Sequence, residues 1–242
     1  MREATSMTTD KCKRKIVIFT GSGISAESGL DTFNDETGLW MDHRVEDVAT
    51  PEAWHRHPAD VLAFYNALRH KAWTAQPNAA HRAIAELEQQ FDVVVITQNV
   101  DDLHERAGST CVLHLHGQIN LAQSTVDEQL TYKIDDKPIL LGDTCEKGSQ
   151  LRPHIVWYGE NVPNIEKALQ HFKNAEKVLV VGTSLTTQPA AGLVTKARHS
   201  AEKVLIGLAV SRKPYGYEFM RGKASSLVPY VVGCWLKGQK AR

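Results

Sequence analysis

Lys15-Ile16-Val17-Ile18-Phe19-Thr20 runs straight into Gly21-Ser22-Gly23-Ile24-Ser25-Ala26-Glu27-Ser28-Gly29, and this junction decides the fold. A short run rich in branched apolar side chains, closed by a glycine, reads as a strand buried on both faces. The glycines that follow let the backbone approach a phosphate. A helix opening behind them would add free N–H groups and the positive end of its dipole. A tight turn without a ligand fits the same glycines. The stretch also satisfies G-x-G-x-x-A, the dinucleotide fingerprint of dehydrogenases. That reading requires a second buried strand ending in an acidic residue about 20 positions on. Asp31 to Asp47 offers polar loop instead. Nucleotide binding is retained; ordinary hydride-transfer geometry is not.

Outward from this junction, short apolar runs alternate with helix-period stretches. Strands are expected at Phe91 to Thr97, Cys111 to His116, His154 to Tyr158, Lys177 to Gly182 and Val204 to Val210. Helices are expected at Pro58 to Trp73, Pro77 to Gln90 and Ile165 to Phe172, where apolar residues recur at helical spacing. The alternation predicts an α/β fold: a Rossmann-like parallel sheet with helices on both faces. Two regions depart from the rhythm. Leu30 to His57 reads as loop and short helices. Gln118 to Gln150 reads as a small inserted lobe whose one core-grade segment is Lys137-Pro138-Ile139-Leu140-Leu141. The expected division is a single catalytic domain over 1–242. Its Rossmann-like core takes 15–29, 74–117 and 151–235, a cofactor loop with helical segment takes 30–73, and the lobe takes 118–150.

Composition narrows the function classes. The 242 residues carry 28 basic and 28 acidic side chains, so the formal net charge is zero. That balance disfavours a nucleic-acid binder, which shows a basic excess or stripe. No apolar run approaches the roughly 18–20 residues that span a bilayer, and no signal peptide is read at the polar start. Neither nucleic acid nor membrane is expected as a partner, and a monomer is favoured. Cys12, Cys111, Cys145 and Cys234 are scattered without a C-x-x-C. This excludes a disulfide framework and fits a reducing cytoplasm.

Further candidates sit at strand ends, where open α/β sheets bind ligands. Thr97-Gln98-Asn99-Val100-Asp101 offers two amides for ribose hydroxyls or a carboxamide, and a carboxylate able to accept two hydrogen bonds. A polar turn with Asp101 or Asp102 capping the next helix fits these residues equally. His114 and His116 point the same way along a period-two strand, and a neutral imidazole suits proton removal near neutral pH. Gly182-Thr183-Ser184 again follows a buried strand; its hydroxyls suit a phosphate or ribose, and equally a helix cap.

Taken in order, Gly21 to Leu30, Thr97 to Asp101, His114-Leu115-His116-Gly117 and Gly182-Thr183-Ser184 resemble the motif set of sirtuins, the NAD-dependent protein-lysine deacylases. Flanking stretches agree: Gly38-Leu39-Trp40, Phe64-Tyr65-Asn66-Ala67, Leu103 to Gly108 and Leu151 to Glu160. The resemblance runs from about Ile16 to Pro229 and is strongest to compact bacterial members. It implies transfer of an acyl group, acetyl first, from lysine to ADP-ribose with release of nicotinamide. The alternatives are an NAD glycohydrolase, an ADP-ribosyltransferase, or a weakened NAD- or ADP-ribose-binding module. The resemblance makes His116 the general base, with Asn99 and Asp101 catalytic beside it. It assigns NAD to Gly21, Ser22, Gly23, Ser25, Ala26, Glu27, Phe33, Trp40, Gln98, Asn99, Asp101, Gly182, Thr183, Ser184 and Gly207. An acylated-lysine protein or peptide would add as a strand along Val156-Trp157-Tyr158-Gly159, near Tyr65.

Departures from the family pattern sharpen the expectation. Sirtuins commonly hold a structural zinc on four cysteines in the lobe. Here the lobe has Cys145 alone, so no zinc is expected and the lobe must be held by packing alone. Members that remove acidic acyl groups carry Tyr-x-x-Arg. Here Tyr65 is followed by Leu68, while Arg69 is rotated by about 100°. That favours acetyl or a longer apolar acyl group. The usual Phe-Arg pair is Phe33-Asn34, and Gly207 aligns where an asparagine commonly meets the adenosine.

Overall fold

The computed structural model describes residues 13–32, 43–210 and 212–241. In chain order its strands are β1 (Lys15–Thr20), β2 (Asp92–Thr97), β3 (Val112–His114), β4 (Gly117–Ser124), β5 (Thr131–Lys133), β6 (Leu151–Ile155), β7 (Lys177–Val181), β8 (Glu202–Gly207) and β9 (Glu218–Arg221). Its α-helices are α1 (Val45–Val48), α2 (Pro51–Arg56), α3 (Pro58–Thr74), α4 (Ala79–Glu86), α5 (Leu103–Arg106), α6 (Ile165–Asn174) and α7 (Ala224–Leu236).

Six strands form a parallel sheet in the order β3-β2-β1-β7-β8-β9. The period-two alternation of β1 sends Ile16 and Ile18 to one face and Val17 and Phe19 to the other. The first pair packs with Ile84 of α4 and with Val228 and Trp235 of α7; the second packs with Ala168 and Phe172 of α6. Helices thus cover both faces, as a parallel sheet requires. Phe19 meets Phe172 edge-on at a ring separation of 5.7 Å, and burying a ring of that size contributes roughly 1.5–3 kcal/mol. From β1 the chain steps outward to β2 and β3, then resumes with β7 on the other side of β1. The carboxyl ends of β1 and β7 therefore flank the topological switch point.

A second sheet, β5-β4-β6, is antiparallel. Ile119 and Ala122 of β4, Ile139 and Ile155 share a core with Trp54 of α2 and with Val61, Phe64 and Tyr65 of α3. No helix among the described residues is long and apolar enough to cross a membrane.

Several expectations change. The glycine motif opens no α-helix: Ser22–Ile24 and Ala26–Ser28 are single 3-10 turns, because Gly29 at φ 88° turns the chain away after the second. The expected parallel strand from His154 to Tyr158 ends at Ile155 and pairs with β4 in the small sheet. Pro153 lacks an N–H and suits such an edge position. In Lys137 to Leu141 only Ile139 is core, whereas Leu140 and Leu141 are each 57% exposed. The lobe is not held by packing alone. Asn66 of α3 donates to the Ile139 carbonyl and accepts from its N–H, both at 2.9 Å. Arg69 donates to the Ile119 carbonyl at 2.8 Å. Strand β9 and helix α7 were not foreseen.

Candidate functional site

All the sequence-level candidates that follow strands come to one edge of the parallel sheet. Gly21, Gln98, Gly182 and Gly207 lie at the carboxyl ends of β1, β2, β7 and β8, and His114 closes β3. The loops after β1 and β7 meet backbone to backbone. The Gly21 N–H donates to the Val181 carbonyl at 3.0 Å, and the Gly23 N–H donates to the Gly182 carbonyl at 2.9 Å. Gly182 has φ 64°, and a Cβ there would lie 2.8 Å from the Gly23 Cα. These glycines therefore serve the contact between the two loops, which shapes the floor of the crevice. Gly207 is looser: a Cβ would meet only the Ala209 carbonyl at 3.5 Å.

The polar residues after β2 are tied to this floor. The Asn99 amide donates to the Gly21 carbonyl and to the Ser25 hydroxyl, both at 3.2 Å. Ser25 in turn donates to Asp101 Oδ2 at 3.0 Å. Asp101 also accepts the Leu103 N–H at 3.1 Å. It therefore meets both the first N–H of α5, whose N-cap is Asp102, and the glycine turn. Burial pushes its carboxyl up, opposed by those two hydrogen bonds. The Gln98 amide donates to the Thr183 hydroxyl at 3.0 Å, joining the ends of β2 and β7. The Ser184 hydroxyl lies 2.9 Å from that of Thr186.

His116 Nδ1 is 3.0 Å from the Gln98 carbonyl. A carbonyl only accepts, so Nδ1 carries the proton and Nε2 keeps its lone pair. Burial lowers the imidazole's pKa, partly offset by this bond. The ring thus favours the neutral form, with its orientation fixed through Nδ1. Its own carbonyl accepts the Val156 N–H at 3.0 Å, which joins the base to Val156-Trp157-Tyr158-Gly159. Trp157 is buried and donates through Nε1 to the Tyr65 hydroxyl at 3.0 Å. Tyr65 is itself buried and buttresses Trp157 rather than opening onto solvent. Tyr158 is 47% exposed, and its N–H donates to the Ala49 carbonyl at 3.0 Å. Gly159 turns the chain at φ 93°.

Some candidates are placed differently. Glu27 directs its carboxylate to the start of α7, accepting from the Ser225 N–H at 3.0 Å and the Ser225 hydroxyl at 2.5 Å. Ala26 is exposed and Ser22 half-buried on the same turns. Phe33, Asn34 and Trp40 lie outside the described residues. Sequence reading missed Asn78, whose amide donates to the Ile24 carbonyl at 2.8 Å and the Ser28 hydroxyl at 3.0 Å. The signal was its capping box with His81 on α4. It also missed Gly222, whose N–H donates to the Gly207 carbonyl at 3.2 Å. Among the described residues no group of three or more His, Cys, Asp or Glu converges as a metal site. Cys145 instead donates to the Ser124 hydroxyl at 3.3 Å.

Fold and site together define an α/β protein of the nucleotide-binding class, with glycine turns at the switch point and a half-buried histidine beside them. The Sir2 family model matches residues 21–189, and the chain belongs to that family. It is 48% identical over 188 residues to the NAD-dependent protein deacylase of Helicobacter pylori strain 26695, covering 78% of this chain and 82% of that one. Against the Vibrio cholerae NAD-dependent protein deacylase it is 43% identical over 228 residues, 90% of this chain and 92% of the other. A Sir2 homologue–NAD complex superposes with a TM-score of 0.84 at 37% identity, covering 93% and 91% of the two chains. A Sir2 variant with a deacetylated p53 peptide and 3′-O-acetyl ADP-ribose superposes at 0.78 with 28% identity, covering 91% and 93%.

Proposed function

We propose that this chain is an NAD-dependent protein-lysine deacylase that takes acetyl or longer apolar acyl groups. The observation that carries the reading is His116. Its Nδ1 proton is held by Gln98, its Nε2 lone pair is available, and its backbone is joined to the Val156–Gly159 segment. The donor set suits a dinucleotide: glycine turns at the switch point, the Gln98 and Asn99 amides, and the Thr183 and Ser184 hydroxyls are groups that hold phosphates and ribose. NAD, when bound, would supply an electrophilic ribose carbon with nicotinamide as its leaving group, and a ribose hydroxyl to receive the acyl group given up by lysine.

The chain's own residues do the rest. Gly21, Ser22, Gly23, Ser25, Gly182, Thr183 and Ser184 would hold the dinucleotide, with Gln98, Asn99 and Asp101 at its nicotinamide ribose. His116 Nε2 takes the proton of a ribose hydroxyl. Val156 to Gly159 align the substrate backbone so that the acyl oxygen is held for attack, a proximity effect. Arg69 supports the acyl preference. Its Nε and Nη1 donate to the Ile119 carbonyl and the Asn66 amide oxygen, and its side chain is buried against the lobe, which supports a fastening role over service to an acyl carboxylate. The reaction is read as one catalytic domain's work on acyl-lysine proteins, by a monomer in a reducing cytoplasm, with neither nucleic acid nor membrane as partner.

The test is nicotinamide release from NAD with acetyl-lysine peptide, succinyl-lysine peptide or no peptide. Release with the acetyl peptide alone, and a fall of roughly 10²- to 10⁴-fold in His116→Ala, is the expected result. Peptide-independent release would instead indicate a glycohydrolase.

A further inference from the structure

His114, two residues before the base, sits between two acceptors. Its Nδ1 is 2.9 Å from the Asn99 carbonyl and its Nε2 is 2.8 Å from Glu105 Oε1. A neutral imidazole carries one N–H and can satisfy only one of them. With both nitrogens protonated, both bonds form. The ring is buried, with its side chain 7% exposed. Glu105 Oε2 is buried without a partner, so the carboxylate relies on this one contact. We propose that His114 is a doubly protonated positioning residue that pins the loop Gln98–Asp101 through the Asn99 carbonyl, with Glu105 as its counter-ion. The inference rests on the deacylase reading for what that loop does.

The charges around the ring fit this role. Asp101, buried on the loop after β2, faces it, as do Glu105 and His104 from α5 and His154 from β6. His104 and His154 are both held neutral by burial, their pKa values lowered. The nearby carboxylates are therefore opposed by His114 alone among these imidazoles. Burial works against its charge, but the Glu105 carboxylate, the Asn99 carbonyl and Asp101 outweigh it and raise its pKa. One loop thus carries two controls. Gln98 orients the neutral His116, while Asn99 is gripped by the charged His114. The Asn99 amide continues the chain to Gly21 and Ser25. A shift at His114 is therefore passed to the glycine turn and the base together.

Nitrogen-15 NMR of histidine in the wild-type protein reads the ring directly. At pH 7 both nitrogens of His114 should show protonated shifts, and in Glu105→Gln the titration should move to lower pH. Amide exchange at Gln98–Asp101 should be faster in that variant. With acetyl peptide, Glu105→Gln and His114→Asn should lower kcat roughly 10- to 100-fold, the scale of a small misplacement, with KM for peptide unchanged. The alkaline limb of the wild-type profile should move to lower pH in Glu105→Gln and vanish in His114→Asn. A singly protonated His114 at pH 7 in the wild type, or unchanged loop exchange in Glu105→Gln, would overturn the proposal. Absence of wild-type deacylation would overturn the function instead, while NMR and exchange still decide the role of His114.

Discussion

His116 and His114 stand two residues apart in opposite surroundings. Burial lowers the first against the opposing pull of a single carbonyl bond, whereas a carboxylate contact outweighs burial and raises the second. Pairs pushed apart in this way mark acid–base sites. The sign for His116 is explicit: a lowered value keeps the imidazole unprotonated down to a pH below the ordinary ~6.5. The acid limb of kcat/KM should therefore lie below ~6.5. A profile measured from pH 5 to 9 checks this, and an acid limb centred above the ordinary histidine value would remove His116 from the role of base. Gly182 makes the complementary point about backbone. Its positive φ and its approach to Gly23 are conditions that only glycine meets without strain. The motif's glycines are thus spent on loop-to-loop contact, and what they present to a ligand is the shape of the floor that results.

At the level of elements, legibility followed how evenly an element is buried. Strands β1, β2, β7 and β8 are covered on both faces, so each reads as an unbroken apolar run. Helix α7 escaped because Pro229 and Gly233 interrupt a segment that tertiary packing nevertheless holds helical. Strand β9, a four-residue edge strand with no fully buried position, carries too little pattern to stand out. In the site, spacing and motif order brought His116, Asn99 and Asp101 together, but the partners of Glu27 and Tyr65 depend on distant elements that no local pattern encodes. The lobe shows the same limit. Its attachment comes from Asn66 and Arg69, one turn apart on α3, and not from the lobe's own apolar residues alone. Burial lowers the Arg69 guanidinium to about 10, so it remains charged at neutral pH. Asn66→Ala leaves the buried Ile139 N–H and carbonyl without partners and removes an acceptor from Arg69. The expected cost is about 1–3 kcal/mol, seen as faster amide exchange at Ile139 and earlier proteolysis within Gln118–Gln150. Unchanged protection at Ile139 would show that packing alone suffices.

For the whole molecule, the sheet order places every strand-end loop of the site on one edge, with the small lobe joined to it through the His116–Val156 hydrogen bond. A dinucleotide at the switch point would add a bridge among strand-end loops already joined by hydrogen bonds such as Gln98–Thr183 and Asn99–Gly21. Binding to the folded state alone raises stability by about 2.7 kcal/mol at a hundredfold excess over Kd. For a chain of this size that corresponds to a rise in Tm of roughly 5–10 °C. ADP-ribose in a thermal-shift titration should produce it, with the increase continuing logarithmically as ligand is added. A strong chelator should do nothing in the same assay, because the lobe's fastening runs through Asn66, Arg69 and the Cys145–Ser124 contact. The two arms discriminate. A flat ADP-ribose titration would take the nucleotide away from the switch point. A drop in Tm with chelator, accompanied by stoichiometric zinc in the purified protein, would mean that side chains beyond this fastening hold a metal and that the lobe is not self-supporting.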